Sequence, residues 1–157
     1  MKKLNVFDER RRCKASNGDR DRRGLRRPLY CLKVTKKHVV TGGGGYSGYV
    51  RMWERGGRRK YLRAFKGIIR KQILSIDTTP DGTIAVTGSF DRTIVLWDTS
   101  NGEEIRTLPT FKGHTGAVYA VSVTPNGDAI VSGSDDDTAM LWDLHSGDKI
   151  MTYVGHK

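Results

Sequence analysis

Two residues in the C-terminal third of the chain, His114 and Asp136, have the side chains of a general acid–base pair. Such a pair moves protons at a reacting centre when it stands beside a substrate pocket and further titratable groups. The sequence offers no converging set of that kind around either residue. We therefore predict that the protein is not an enzyme, and we assign it no catalytic residue.

Residues that could hold a phosphate or a cation are present without the neighbours that such ligands need. The glycine run Gly42–Gly45 is followed neither by the Gly-Lys-Ser/Thr of a phosphate-binding loop nor by a predicted helix, so it is predicted to be a loop. The acidic run Asp135–Asp137 lacks the pattern of a calcium-binding loop and is predicted to be a solvated turn. The sequence predicts no cofactor.

Histidines and cysteines are too scattered for a metal site or a disulfide framework. Three histidines stand apart from one another and from both cysteines, namely His38, His145 and His156. Cys13 and Cys31 have no ligand-type neighbour at a metal-binding spacing, and their small number indicates a reducing compartment. We therefore predict no metal centre.

The composition of the chain limits the fold that can position these residues. Its 157 residues carry 28 Lys and Arg against 17 Asp and Glu, a net charge of +11. No stretch approaches the roughly 18 apolar residues of a membrane span, and the N-terminus lacks the apolar core of a secretory signal. Nineteen glycines fall at the ends of β-rich runs. We expect one all-β domain in the cytoplasm or the nucleus, with no membrane partner.

The strongest pattern is an internal repeat of 45 residues. Residues 79–107 align with residues 124–152, and 14 of the 29 positions are identical. Trp97 and Trp142 are 45 residues apart, and Trp53 lies 44 residues before Trp97. Each unit has four short β-rich runs separated by turn residues such as Pro-Asp-Gly, which predicts a four-stranded antiparallel meander. A meander of this length is typical of one blade of a β-propeller.

The last unit resembles the WD-repeat signature almost position by position. The matching segments are Gly113-His114, Pro125-x-Gly127, Ser132-Gly133-Ser134-x-Asp136-x-Thr138 and Leu141-Trp142-Asp143. In that family a His, a Ser or Thr, an Asp and a Trp of one repeat form a hydrogen-bonded tetrad. The resemblance implies a tetrad of His114, Ser132, Asp136 and Trp142, a fold of WD-type β-propeller blades, and a scaffold that binds other proteins.

The other two units depart from this signature. The middle unit keeps three of the four tetrad residues, namely Thr87, Asp91 and Trp97. Ile68 stands where its histidine is expected, so that tetrad is predicted to be incomplete. The first unit has two additional residues between Thr41 and Trp53, with Ser47 at the Asp position, and is predicted to be a degenerate blade.

These patterns predict the organisation of the whole chain. Residues 1–27 form a basic, disordered segment or the remnant of a preceding blade, because residues 4–9 resemble the end of a third strand. The blades then follow at residues 28–66, 67–109 and 110–154, and residues 155–157 resemble the start of a further repeat.

Three blades do not close a ring, since propellers close with about 4–8 blades. Three explanations stay open. The chain is part of a longer propeller, or it is a natural short form whose open faces a partner covers, or it self-associates so that two copies together supply six blades.

The turns after the second strands of the middle and last blades are the first candidate binding surface. Four of their residues flank the tetrad Asp positions and are predicted to lie exposed on one face, namely Phe90, Arg92, Asp135 and Asp137. An exposed aromatic side chain beside an arginine is typical of binding hot spots. These four residues are therefore the predicted contacts for a protein partner.

A basic run near the first blade is the second candidate surface, and we call it the basic rim. Its predicted members are Arg55, Arg58, Arg59, Lys60, Arg63, Lys66, Arg70 and Lys71. Basic side chains on an outer strand deter sheets from pairing edge to edge, and a pI near 9.9 also favours contact with RNA. We predict a non-catalytic scaffold for other proteins, with an RNA- or ribonucleoprotein-associated propeller as the alternative.

Overall fold

The computed structural model describes residues 28–44, 48–56, 62–65, 71–108 and 113–155. These residues form twelve strands in three four-stranded antiparallel sheets, each with its strands in chain order, which confirms the predicted all-β class and the blade architecture. None of the described residues belongs to a helix long and apolar enough to cross a membrane. The predicted N-terminal segment, residues 1–27, lies outside the described residues.

The strand bounds follow the repeat, one sheet to each unit. The first sheet contains β1 (Leu29–Val34), β2 (His38–Gly44), β3 (Gly48–Glu54) and the short β4 (Arg63–Ala64). The middle sheet contains β5 (Ile73–Thr78), β6 (Ile84–Ser89), β7 (Ile94–Asp98) and β8 (Glu104–Thr107). The last sheet contains β9 (Val118–Val123), β10 (Ala129–Ser134), β11 (Thr138–Asp143) and β12 (Lys149–Val154).

The turn between the first and second strands has the same structure in the middle and last sheets. Gly82 has a φ of +77° and its N–H donates to the carbonyl of Thr79, at 2.8 Å. Gly127, 45 residues later, has a φ of +81° and donates to Thr124, at 2.9 Å. Glycine adopts this left-handed conformation without steric cost, which explains the Pro-x-Gly pattern at both turns.

The middle sheet buries both of its faces, because neighbouring side chains on a strand point to opposite sides. Ala85 and Trp97 belong to an apolar cluster with the first sheet. Val86 and Leu96, each one residue away from them, belong to a second cluster with the last sheet. These two clusters form the core, and they explain why β6 and β7 are apolar almost throughout.

The two additional residues of the first unit lengthen its central hairpin. Strands β2 and β3 pair as far as Gly44 with Gly48, three positions beyond Thr41. In the middle sheet, pairing beyond the equivalent Thr87 extends two positions, to Ser89. Each strand of the first hairpin is therefore one residue longer. An addition of one residue to each strand leaves the inward and outward faces unchanged.

Candidate functional site

The residues predicted to form the tetrad lie together in the last sheet. His114 precedes β9, and its Nε2 lies 2.7 Å from the Ser132 Oγ on β10. Its Nδ1 lies 2.9 Å from an Asp136 carboxylate oxygen in the β10–β11 turn. The Trp142 indole on β11 donates its N–H to the same Ser132 oxygen at 2.8 Å. The His, Ser and Trp side chains are buried.

The hydrogen-bonding chemistry of these groups fixes the direction of each bond. An indole N–H can only donate and a carboxylate can only accept. With a neutral imidazole, the His114 Nδ1–H therefore donates to Asp136, and the Ser132 hydroxyl donates to the other ring nitrogen while accepting from Trp142. Every buried polar atom of the cluster then has a partner, which is the condition for burying it at low cost.

The environment of Asp136 keeps its carboxylate charged. Partial burial acts to raise its pKa, but hydrogen bonds from the Thr138 hydroxyl, the Thr115 backbone N–H and His114 outweigh burial and hold the pKa well below its ordinary value. A charged Asp136 orients the imidazole. It also ties the segment before β9 to the β10–β11 turn.

The same four side chains have the order of a Ser-His-Asp catalytic triad, but Ser132 is not placed to act as a nucleophile. A triad serine presents its oxygen to a substrate. The Ser132 side chain is only 1% exposed, and its oxygen already accepts the Trp142 indole N–H. The arrangement can hold three chain segments together, and its geometry gives a substrate no access to the hydroxyl.

Part of this arrangement recurs in the other two sheets. Trp97 donates to Thr87 Oγ1 at 2.9 Å, and Trp53 donates to Thr41 Oγ1 at 2.8 Å. Asp91 accepts the backbone N–H of Thr93 and stabilises its own turn. Ile68 and Ser47, the predicted departures from the signature, lie outside the described residues.

Sequence reasoning did not assign Thr41 and Trp53 to a bonded pair. The two additional residues change their spacing from ten to twelve, which hides the match to the other units. An alignment that allowed one inserted residue in each strand would have found the pair.

The four predicted partner contacts lie on two equivalent turns. Phe90 is 45% exposed and its ring lies 5.1 Å from the Lys71 ammonium, a cation–π distance. Arg92 and Asp137 occupy the same turn position, with φ values of +76° and +61°. The Arg92 guanidinium reaches the Thr115 carbonyl at 3.5 Å. The middle turn is thus aromatic and basic, whereas the last turn is acidic.

The structure divides the predicted basic rim. Arg55 and Lys71 are exposed, but Arg63 was expected on the rim and is half-buried, with its aliphatic part against Gly102 in the next sheet. A guanidinium on a long apolar stem can cover a neighbouring surface in this way. The other five members lie outside the described residues, namely Arg58, Arg59, Lys60, Lys66 and Arg70.

Asp77 connects all three sheets and was not singled out from the sequence. Its carboxylate lies 2.6 Å from the Lys33 ammonium of the first sheet and accepts the Val123 backbone N–H of the last sheet at 2.8 Å. Burial acts to raise its pKa, but Lys33 and two backbone N–H groups lower it below the ordinary value. An acidic residue within the otherwise apolar strand β5 was the available signal.

Comparison with known proteins gives one family. The profile described as "WD domain, G-beta repeat" matches residues 59–98 and 105–143, just over half of the chain. The name "Dynein assembly factor with WD repeat domains 1" is carried by the curated relatives. The Homo sapiens protein is 43% identical over 49 residues, 31% of this chain and 11% of that protein.

Two relatives of the same name give similar values. The Xenopus laevis protein is 42% identical over 67 residues, 41% of this chain and 15% of that protein. The Danio rerio protein is 50% identical over 40 residues, 26% of this chain and 9% of that protein. The matched segments therefore span only a small part of these relatives.

Proposed function

Because the chain belongs to the WD-repeat family, we propose that it is a non-catalytic scaffold that binds other proteins through the turns carrying Phe90, Arg92, Asp135 and Asp137. Proteins of this family are generally scaffolds without catalytic activity. The buried tetrad residues support the same function, since they position turns and leave the turn side chains free for contact.

The observation that carries the proposal is the position of Phe90. A phenylalanine exposed on a turn is unfavourable in water unless it is covered by a partner. Its backbone N–H donates to the Gln72 carbonyl at 3.0 Å, and the neighbouring Ser89 hydroxyl donates to the same carbonyl. The ring is thus presented on a turn that is held in place, beside two cationic side chains. Such a contact orders little on binding, which favours affinity.

The names of the relatives suggest the class of partner. Each is called a dynein assembly factor, and we extend that role to this chain as a binding partner of dynein subunits. The aromatic and basic middle turn next to an acidic turn would recognise a protein surface that carries both signs of charge around an apolar pocket.

A capture experiment tests both parts of the proposal. The purified chain is immobilised, incubated with a cell extract that contains dynein subunits, and the bound dynein chains are quantified by mass spectrometry. Phe90→Ala with Arg92→Ala is expected to lower capture about tenfold or more, as the loss of hot-spot residues does.

The matched control removes one apolar and one charged side chain elsewhere on the same sheet. Glu103→Ala with Ile105→Ala does this, because both residues are exposed. The control is expected to capture as much as the wild type. Equal capture by the Phe90/Arg92 variant would exclude the turn as the binding surface, and absence of dynein from the wild-type sample would exclude dynein as the partner.

The RNA alternative has less support from the described residues. Arg63 packs between sheets and Lys71 lies over Phe90, so neither is presented as an isolated phosphate contact. No relative reported above is named for RNA binding. Location in the cytoplasm or the nucleus stays a prediction, which fluorescence microscopy of the tagged chain would test.

A further inference from the structure

A glycine at one register position lets each blade receive the next. A Cβ atom on Gly42 would lie 2.7 Å from Cγ2 of Ile73 in the middle sheet. A Cβ atom on Gly88 would lie 2.8 Å from Cγ1 of Val118 in the last sheet. Both distances are shorter than carbon atoms tolerate. The missing side chain is therefore what allows the first strand of the following blade to pack closely.

The third glycine at this position, Gly133, has open space in front of it. Among the described residues, the nearest atom to a Cβ placed there is the Ala120 Cβ of its own sheet, at 3.9 Å. Val131, on the same face, is 38% exposed, whereas its equivalent Val86 is fully buried by the last sheet. The last blade thus carries the acceptor face of the repeat with its apolar side exposed.

The first blade presents the complementary donor strand. Strand pairing places Leu29 and Leu32 at the positions of Ile73 and Ile76 in the middle sheet. Both isoleucines are buried against the first sheet, but Leu29 is 53% and Leu32 is 56% exposed. The strand that would dock on a preceding blade is therefore present and uncovered.

A second device of the blade junctions also has one free half at each end. Arg63 of the first sheet packs on the turn glycine Gly102, and Arg106 of the middle sheet packs on Gly147. The equivalent residue of the last sheet is Met151, which is half-exposed. At the other end, a Cβ on Gly56 would meet no described atom within 4 Å.

The charges of the two end blades are opposite. The described part of residues 28–65 carries six Lys and Arg against one Glu. Residues 113–155 carry six Asp against one Lys. Opposite charges favour the association of these two ends and disfavour contacts between like ends.

We propose that the first blade of a second copy docks on the last blade, with its Leu29 seated over Gly133 and its Gly56 turn against Met151. The contact repeats the two junctions inside the chain. Because donor and acceptor are at opposite ends, two copies can form two identical contacts and close a six-bladed ring. This inference is independent of the proposed dynein partner, since it uses other surfaces.

Light scattering on the full chain tests the proposal. At about 100 μM, where even a micromolar interface is occupied, the wild type is expected at about 35 kDa, twice the 17.6 kDa of one chain. Gly133→Val adds atoms where a single chain has room, so it is expected to fold and to run at 17.6 kDa. Leu29→Lys with Leu32→Lys is also expected to be monomeric.

Control variants and mixing make the result specific. Ile105→Lys places the same charge on an exposed apolar position of the middle blade and is expected to keep the wild-type mass. Mixing the Gly133 variant with the leucine variant restores one intact contact, so a fraction at about 35 kDa should return. A monomeric wild type, or a Gly133→Val protein that keeps the dimer mass and the wild-type thermal unfolding, would overturn the proposal.

Discussion

At the scale of single residues, the Ser132 hydroxyl shows how burial decides what a chemical group does. The same oxygen that a hydrolase would expose is here 1% exposed and held between His114 and Trp142. Each of the three groups is buried and therefore depends on the other two, since an unpaired buried donor or acceptor costs about 1–3 kcal/mol. The reactive-looking order of side chains is in this protein a means of holding strands in register.

Replacement of Trp142 by phenylalanine measures this dependence. Trp142→Phe keeps the aromatic body but removes the N–H that Ser132 accepts, so we expect a loss of about 1–3 kcal/mol in the free energy of unfolding. Urea denaturation followed by circular dichroism gives the value. Trp53→Phe is the control, because Trp53 makes the same bond to Thr41 at a half-buried site and is expected to cost less. A change below a few tenths of a kcal/mol for Trp142 would contradict the tetrad.

The lowered pKa of Asp136 predicts a dependence of stability on pH. A carboxyl whose pKa is lower in the folded than in the unfolded chain contributes stability that is fully present above the unfolded value, here 3.8, and is lost as the pH falls towards the folded pKa. Wild-type urea midpoints should therefore fall between about pH 5 and about pH 2. Asp136→Asn should flatten that fall. Asp135→Asn controls for net charge, and equal slopes for the two variants would contradict the assignment.

At the scale of strands and sheets, the repeat made most of the fold predictable. Strand β5 was expected over 73–78 and β11 over 138–143, and both have those bounds, because turn residues mark their ends. The outer strand of the first sheet was expected over 60–65, but β4 contains only Arg63 and Ala64. Its segment lacks the turn pattern that fixes the fourth strand in the other units.

The candidate site was predictable to the extent that it depends on spacing. The residues of the last tetrad could be named because their spacing matches the family signature, whereas the Thr41–Trp53 bond was hidden by one extra residue in each strand. Charge alone placed Arg63 on the rim, and the structure shows its stem packed on Gly102. Asp77 was missed because its partners lie 44 and 46 residues away, in two other blades.

At the scale of the whole molecule, stability comes from contacts between neighbouring blades. The middle blade makes two such contacts, while each end blade makes one within the chain. In repeat proteins the stability of a unit is approximately its own contribution plus those of its two interfaces. The middle blade is therefore expected to be the last part of the molecule to open.

Hydrogen exchange of the backbone amides tests this order. In a dilute sample that light scattering shows to be monomeric, the amide of Val86 should exchange more slowly than that of Val131, its equivalent in the last blade. Both residues lie in the second strand of a four-stranded sheet, so they form a matched pair. Equal protection of the two amides would contradict a stability gradient set by blade contacts.

The longer hairpin of the first blade has a consequence for how such a protein can diversify. Its strands gained one residue each, and the bond between Trp53 and Thr41 persists. Paired insertions of this kind move the tip of a hairpin outward by one rung, about 3.4 Å, while every inward-facing side chain keeps its place. Mutation can thus reshape the surface that a partner meets without disturbing the framework below it, so that recognition and folding evolve as separate traits.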